Sequence, residues 1–331
     1  MDEAELLDAL RAPCPADVLG RPLGGAVVVT IDHRAPAPDL PALRRAVASV
    51  PCVLVGVGGS GAPHGDLFDV VLEPDDPAID AILASAADHP HAASALAVLL
   101  RGAAGRSVGE GLAAESAVYS TLQSGSEFTA WRAAAPIRNR PAADRPAVRV
   151  ERTGERLLVT LARPEVHNAF DARMRDELLE ALALAAADPS IAEVVLTGDG
   201  PSFCSGGDLD EFGTRPDPAT AHLVRLARSV GRVIDTIADR VTARIHGSCL
   251  GSGIELPAFA GRVVAHPDTV IALPEVQMGL IPGAGGTVSL PRRIGRQRTA
   301  RLGLTGTSID AATAASWGLV DAVEDHTAAL R

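Results

Sequence analysis

Apolar residues recur along this chain with two different periods. Short runs of strand length, Val148 to Val150, Leu157 to Leu161, Val194 to Leu196 and Val241 to Ile245, are bounded by polar or turn-forming residues. Between the second and third runs, residues 168–186 read as a helix. Between the third and fourth, Leu223, Leu226, Ala227, Val230, Ile234 and Ile237 are spaced to line one face of a single helix. Strand alternating with helix predicts an α/β fold of stacked ββα or βαβ units.

The front of the chain follows another pattern. Ala26 to Ile31 and Cys52 to Val57 predict strands around a helix near Leu40 to Val50, and three or four helices follow at about Pro77–Asp88, His91–Arg101, Val108–Leu122 and Glu127–Arg132. Residues 133–147 carry three prolines and no apolar period, which marks a linker.

Composition narrows the classes. With 331 residues, 47% of them hydrophobic, a substantial core is expected. The excess of 41 acidic over 30 basic residues, net −11, argues against a nucleic-acid partner. The chain has no lysine, so a P-loop cannot be written. Cys14, Cys52, Cys204 and Cys249 form no CxxC pair and no His-spaced ligand set, which predicts neither disulfides nor a metal site. The acidic N-terminus is unlike a signal peptide, and the apolar run Ala95 to Leu100 is too short to span a membrane, so a cytoplasmic protein without membrane association is expected.

Candidate chemistry sits in the second half. Ser202-Phe203-Cys204-Ser205-Gly206-Gly207-Asp208-Leu209 follows one predicted strand, and His246-Gly247-Ser248-Cys249-Leu250-Gly251-Ser252-Gly253 follows the next. Glycines there let backbone N–H groups approach a ligand at strand C-termini, and a helix opening at the second block would favour negative charge. Either block alone reads as a tight turn. Glu255 and Glu275, each attached to a glycine-rich stretch, add two carboxylates fit for moving protons and water.

Residues 148–323 resemble the crotonase, or enoyl-CoA hydratase/isomerase, superfamily. The resemblance rests on Arg163-Pro164…Asn168-Ala169, Phe203 to Leu209, Gly247…Gly251-Ser252-Gly253-Ile254-Glu255-Leu256, and Pro274-Glu275…Gly279 to Thr287. It implies a crotonase-like spiral of repeated ββα units and an oxyanion hole from the N–H groups of Gly207 and Ser252. Glu255 would act on water and Glu275 would deliver a proton. Substrate and CoA contacts are implied at Val166, His167, Asn168, Ala169, Ser205, Asp208, Leu209, Asp210, Phe212, Gly251, Pro274 and Gly283. The implied activity is 2-enoyl-CoA hydration, with Δ3-Δ2 enoyl-CoA isomerisation or a non-catalytic acyl-CoA-binding partner subunit as alternatives. No cofactor is implied beyond the coenzyme A of the acyl-CoA thioester itself, and a homo-oligomer, trimer or hexamer, is expected. Two departures bear on Glu255: Pro257 lies just beyond it, and Gly261 stands where the family often has aspartate.

The family's helical region normally follows the core. Here residues 76–132 resemble it and precede the core, and Phe68-Asp69-Val70-Val71-Leu72-Glu73 echoes Val320-Asp321-Ala322-Val323-Glu324. This predicts a degenerate remnant of a first core over 24–75, a helical region over 76–132 that serves the second core, a linker over 133–147 and a catalytic core over 148–331. The cluster Arg292, Arg293, Arg296, Arg298 and Arg301 predicts a solvated helix face or subunit contact rather than a grip on CoA phosphates. Gly56-Val57-Gly58-Gly59-Ser60-Gly61 spells GxGxxG, but Pro63 and Gly65 follow where a helix should start, so no dinucleotide site is expected. His246 reads as a loop residue, and Trp317, like Phe212, as core or pocket wall.

Overall fold

The structure is a computed structural model that describes residues 1–21, 24–31, 40–48, 50–58, 64–138, 144–214 and 217–325. The chain opens with α1 (Glu3–Arg11), started by a reciprocal capping box between Asp2 and Glu5, and a short α2 (Pro15–Val18). Then come β1 (Ala26–Thr30), α3 (Leu40–Ala48), β2 (Val53–Val57) and β3 (Val70–Leu72), a parallel sheet in the order β1-β2-β3. The end of the GxGxxG run and Pro63 lie outside the described residues.

Four helices follow: α4 (Ala78–Asp88), α5 (Pro90–Arg101), α6 (Val108–Gln123) and α7 (Ser126–Ala134). Ser107 and Glu110 form the capping box that starts α6. The second half runs β4 (Val148–Thr153), β5 (Arg156–Leu161), α8 (Ala172–Ala187), β6 (Glu193–Gly198), α9 (Pro218–Ala227), α10 (Val230–Thr236), β7 (Val241–Ile245), β8 (Ser248–Leu250), α11 (Ser252–Glu255), β9 (Arg262–Ala265), β10 (Val270–Ala272), α12 (Gly286–Thr305), β11 (Ile309–Asp310), α13 (Ala311–Trp317) and β12 (Ala322–Val323).

The six-stranded sheet has the order β12-β9-β7-β6-β5-β4, parallel except for the β4–β5 pair. A smaller sheet, β11-β10-β8, stands apart from it, so the chain leaves and rejoins the main sheet as it winds. β6 is buried from Val194 to Gly198, which explains its unbroken apolar run.

Two helix predictions need correction. The helix expected from residue 168 starts at Ala172, because Asn168 is left-handed (φ +53°) and the Asp171 carboxylate caps the Met174 N–H. The single helix read over Leu223 to Ile237 is two, since Arg228 leaves the helical region and Ser229 caps α10 anew.

The helices α4 to α7 pack on the second half. One buried cluster joins Val53, Val70, Leu96, Tyr119 and Phe128 to Val276, Leu280, Ile281 and Leu304. Arg292, Arg296 and Arg301 of the arginine cluster bind across this joint, while Arg292 and Arg298 stay exposed as a solvated face would. Arg301 pairs with Asp76 at 2.6 and 3.0 Å, Arg292 donates to the Arg106 carbonyl, and Arg296 reaches the Asp66 carbonyl and Asp69. Arg293 binds the Ala258 and Ala260 carbonyls and Asp321, while Arg298 binds the Trp317 carbonyl. α12 breaks at Gly295 (φ +78°), placing Arg293 and Arg296 on its two arms.

Candidate active site

Two loops at strand ends build the floor of the site. Phe170 and Gly207 form an isolated parallel bridge that uses the Gly206 carbonyl and the Asp208 N–H, leaving the N–H of Gly207 on the opposite edge. Ser252 opens α11, so its N–H has no partner within the helix. Both residues line one cavity of about 230 Å³, together with Glu255, Glu275, Gly283 and, from α6, Glu115 and Tyr119. Pro257 ends α11 after a single turn yet leaves Glu255 on the cavity, and a Cβ on Gly261 would lie 2.4 Å from the Ala238 carbonyl, so an aspartate has no room there.

The two predicted glutamates face each other across Gly251. A Cβ on that residue (φ +48°) would sit 2.3 Å from Glu275 Oε1 and 3.7 Å from Glu255 Oε1, so only glycine admits both carboxylates. Glu255 Oε2 accepts hydrogen bonds from the N–H groups of Ala284 and Gly286, both at 2.8 Å. Glu275 Oε2 is buried without a hydrogen-bond partner among the described residues. Burial pushes Glu255 up to about 7 against those N–H donors, whereas burial and the neighbouring charge of Glu255 drive Glu275 well above the usual carboxylate range. The pair is thereby separated into a group that ionises first and one that keeps its proton longer.

A third glutamate joins them that sequence reading gave no role. Glu115 of α6, 2% exposed, accepts from the Gly285 N–H (2.7 Å), the Thr287 N–H (2.9 Å) and the Thr287 hydroxyl (2.7 Å). Four successive N–H groups at the start of α12 therefore alternate between two carboxylates, Ala284 and Gly286 to Glu255, Gly285 and Thr287 to Glu115. Burial and the charge of Glu255 push Glu115 up to about 8. The signal was present in the pattern: Leu112, Glu115, Tyr119 and Leu122 recur at helical spacing on the buried face of α6, where a carboxylate needs partners. Tyr119, whose ring lies 2.5 Å from where a Gly283 Cβ would stand, was missed likewise.

Of the predicted contact residues, Asp208, Phe212 and Gly283 line the cavity along with Gly207 and Ser252. Val166, His167, Asn168, Ala169, Ser205, Leu209, Asp210, Gly251 and Pro274 are not among the residues that line it. Asn168 is fully buried and clamps its own loop, its Oδ1 on the Arg163 N–H and its Nδ2 on the Asp199 and Ser202 carbonyls. Arg163 then ties the Ala169 carbonyl to the Asp208 carboxylate, and the Ser205 N–H donates to the His167 carbonyl. These residues fix the Phe170–Gly207 bridge instead of facing the cavity. Pro274 precedes the 3₁₀ turn Glu275–Met278 that carries Glu275.

This fold and this arrangement of loops define a class, and comparison with known proteins gives it a family. Residues 152–329 match the sequence model of the enoyl-CoA hydratase/isomerase family, and the chain belongs to that family, the crotonase superfamily. It is 35% identical over 174 residues to the 2,3-dehydroadipyl-CoA hydratase of Escherichia coli, covering 53% of this chain and 68% of that one. It is 34% identical over 176 residues to the mevalonyl-coenzyme A hydratase of Aspergillus fumigatus, covering 51% and 63%. Among solved structures, the enoyl-CoA hydratase from Thermoplasma volcanium matches with a TM-score of 0.52 at 34% identity, over 56% of this chain and 75% of that one. The chain spans less than two thirds of the length of the first curated relatives it matches.

Proposed function

We propose that this protein adds water reversibly to a 2-enoyl-CoA thioester. The observation that carries this reading is the pair of buried carboxylates on either side of Gly251, one held by two N–H donors and the other with an oxygen that has no partner among the described residues. The thioester oxygen accepts from the N–H groups of Gly207 and Ser252; one such donor supplies ~3 kcal/mol of barrier lowering. Ionised Glu255 takes a proton from water as its oxygen bonds to C3, and the C2–C3 π pair moves into the enolate. Glu275 gives its proton to C2 as the enolate collapses. Hydroxide ends on C3 and hydrogen on C2, and the proton gained by Glu255 returns to Glu275 before the next turnover. Glu115 holds the Gly285–Thr287 turn whose neighbouring N–H groups position Glu255. The test is loss of the conjugated-thioester absorbance of crotonyl-CoA, with Glu255→Gln and Glu275→Gln beside the native protein. Turnover abolished by either change supports hydration; turnover indifferent to both rejects it, and a 3-enoyl-CoA shifted to the 2-enoyl isomer with need of only one glutamate assigns isomerisation instead.

We infer as well that residues 24–75 are a reduced copy of the core and that residues 76–132 complete the site of the second copy. The matched hydrogen bonds of Asp69 to Leu54 and of Asp321 to Val263 support the first point, and the hydrogen bonds of Glu115 support the second.

A further inference from the structure

Three arginines line the cavity: Arg175, Arg225 and Arg228. Arg175 and Arg228 share the Asp176 carboxylate, at 2.8 and 2.6 Å. Arg225 has no acidic partner among the described residues. It leaves α9 for α6, donating from Nε to Ser116 Oγ (3.0 Å) and from Nη2 to the Ser116 carbonyl and to Ser120 Oγ, and its guanidinium lies 4.7 Å from the centre of the Tyr119 ring. Every one of these partners is neutral. Glu115, whose charge acts on Arg225 electrostatically, already spends both oxygens on Gly285 and Thr287. Nη1 of Arg225 makes no hydrogen bond within the described residues.

A half-buried guanidinium without an ion pair in contact is costly to hold, and burial lowers the pKa of Arg225 against the opposing pull of Tyr119 and Glu115. Its neutral partners fix it in place without discharging it. The cavity wall exposes more apolar than polar surface, with Leu112, Phe170, Ala221, Val230 and Leu256, although Asp171, Asp208 and Glu211 also line it. An aliphatic chain suits those walls, and a carboxylate at its end would meet the open edge of the guanidinium. We propose that Arg225 is a specificity residue for acyl-CoA thioesters whose acyl chain ends in a carboxylate. This rests on the acyl-CoA reading of the site, though not on which reaction it performs.

The test measures binding of unreactive saturated thioesters, so it does not depend on turnover. Matched pairs of four, six and eight carbons, each an ω-carboxyacyl-CoA and its uncharged acyl-CoA, are titrated calorimetrically into the full-length protein, Arg225→Gln and Arg225→Lys, with circular dichroism to establish folding. For at least one length, the native protein should bind the ω-carboxy member about tenfold or more tightly than its partner. Arg225→Gln should bring that ratio to one or below, and Arg225→Lys should retain part of it. A native ratio near one at every length, or a preference that survives Arg225→Gln, overturns the proposal. If Arg225→Gln fails to fold, a preference unchanged in Arg225→Lys under raised salt would overturn it, because a point charge cannot reproduce the guanidinium fork. No binding of any thioester sinks this proposal and the acyl-CoA reading together. Clear preference without turnover of the 2,3-unsaturated counterparts sinks the hydratase reading alone.

Discussion

The three-stranded parallel sheet and the six-stranded sheet use the same clamp and differ in what lies between their strands. In the first, the Leu54 N–H donates to Asp69 Oδ2 (2.8 Å) and the Asp69 N–H returns a bond to the Leu54 carbonyl (2.9 Å). In the second, the Val263 N–H donates to Asp321 Oδ2 (2.6 Å) and the Asp321 N–H returns to the Val263 carbonyl (2.8 Å). Each aspartate also takes an arginine that binds carbonyls just before the neighbouring strand: Arg101 with Val47, Val50 and Cys52, and Arg293 with Ala258 and Ala260. From β2 to β3 the chain takes residues 58–69, whereas from β9 to β12 it takes residues 266–321. That longer excursion carries β10, Glu275 and α12, and thus one carboxylate and the N–H groups that hold the other. The strands supply a frame, and the excursions supply the chemistry. α12 then serves both sheets, Arg293 meeting Asp321 and Arg296 meeting Asp69 across the break at Gly295.

The sharpest way to break this comparison is to remove the carboxylates of the second sheet. Glu255→Gln and Glu275→Gln should each lower kcat/KM for enoyl-CoA hydration by about 10²- to 10⁴-fold, with KM less affected. Hydration that survives both changes would mean that the chemistry does not lie in the second excursion. Next in size comes the clamp of the first sheet. Asp69 and Arg101 are 1% and 5% exposed, so Asp69→Ala strands a buried guanidinium and should cost ~3–5 kcal/mol in urea denaturation. A loss under 1 kcal/mol would show that Arg101 finds compensation elsewhere.

Much of this was legible in the sequence because periodicity and turn chemistry are local. Val194 to Leu196 reads as a buried strand from its own unbroken apolar run, and α4 to α7 fall close to their predicted bounds because each has its own apolar residues at helical spacing. The glycine blocks and their attached glutamates marked the two loops for the same reason, while the choice of Gly207 and Ser252 as donors came from the resemblance to the family. What was not legible depended on distant partners. Arg296 and Arg301 look solvated until Asp66, Asp69 and Asp76 are brought to them from more than 200 residues away. Glu115 sits 170 residues before the turn that it holds, and no motif links the two. Asn168 was expected at the ligand because its motif was recognisable, while its side chain is consumed within its own loop.

Glu115 sharpens the comparison from the other side, since it shows the helices after the first sheet entering the site of the second. Glu115→Gln should lower kcat about tenfold, a loss in the range expected when a supporting contact slackens. A purely structural defect would leave the pH profile alone. Here kcat/KM should rise as pH climbs through about 7, where Glu255 ionises, and fall again once Glu275 loses its proton. The charge of Glu115 helps to keep Glu275 protonated, so its removal should move the falling limb to lower pH. Stability should respond too. Glu115 titrates near 4.5 when unfolded and about 8 when folded, so between those values the native state holds a proton that the unfolded chain has released. Stability therefore falls as pH rises through this window, and Glu115→Gln should flatten the decline in Tm between pH 5 and pH 8.

The smallest effect is expected at the second clamp. Asp321 repeats the hydrogen bonds of Asp69, but its side chain is 41% exposed against 1%, and its arginine is 13% exposed. Water already reaches Asp321, and Arg293 keeps the Ala258 and Ala260 carbonyls when that charge is removed, so the ion pair itself is worth about 0–1 kcal/mol. Asp321→Asn keeps an oxygen for the Val263 N–H and should lose only that amount in urea denaturation, whereas Asp69→Asn should lose several times more because the buried Arg101 is left without a charge to meet. Equal losses at the two positions would mean that the shared backbone exchange, and not burial of the ion pair, sets the strength of both clamps.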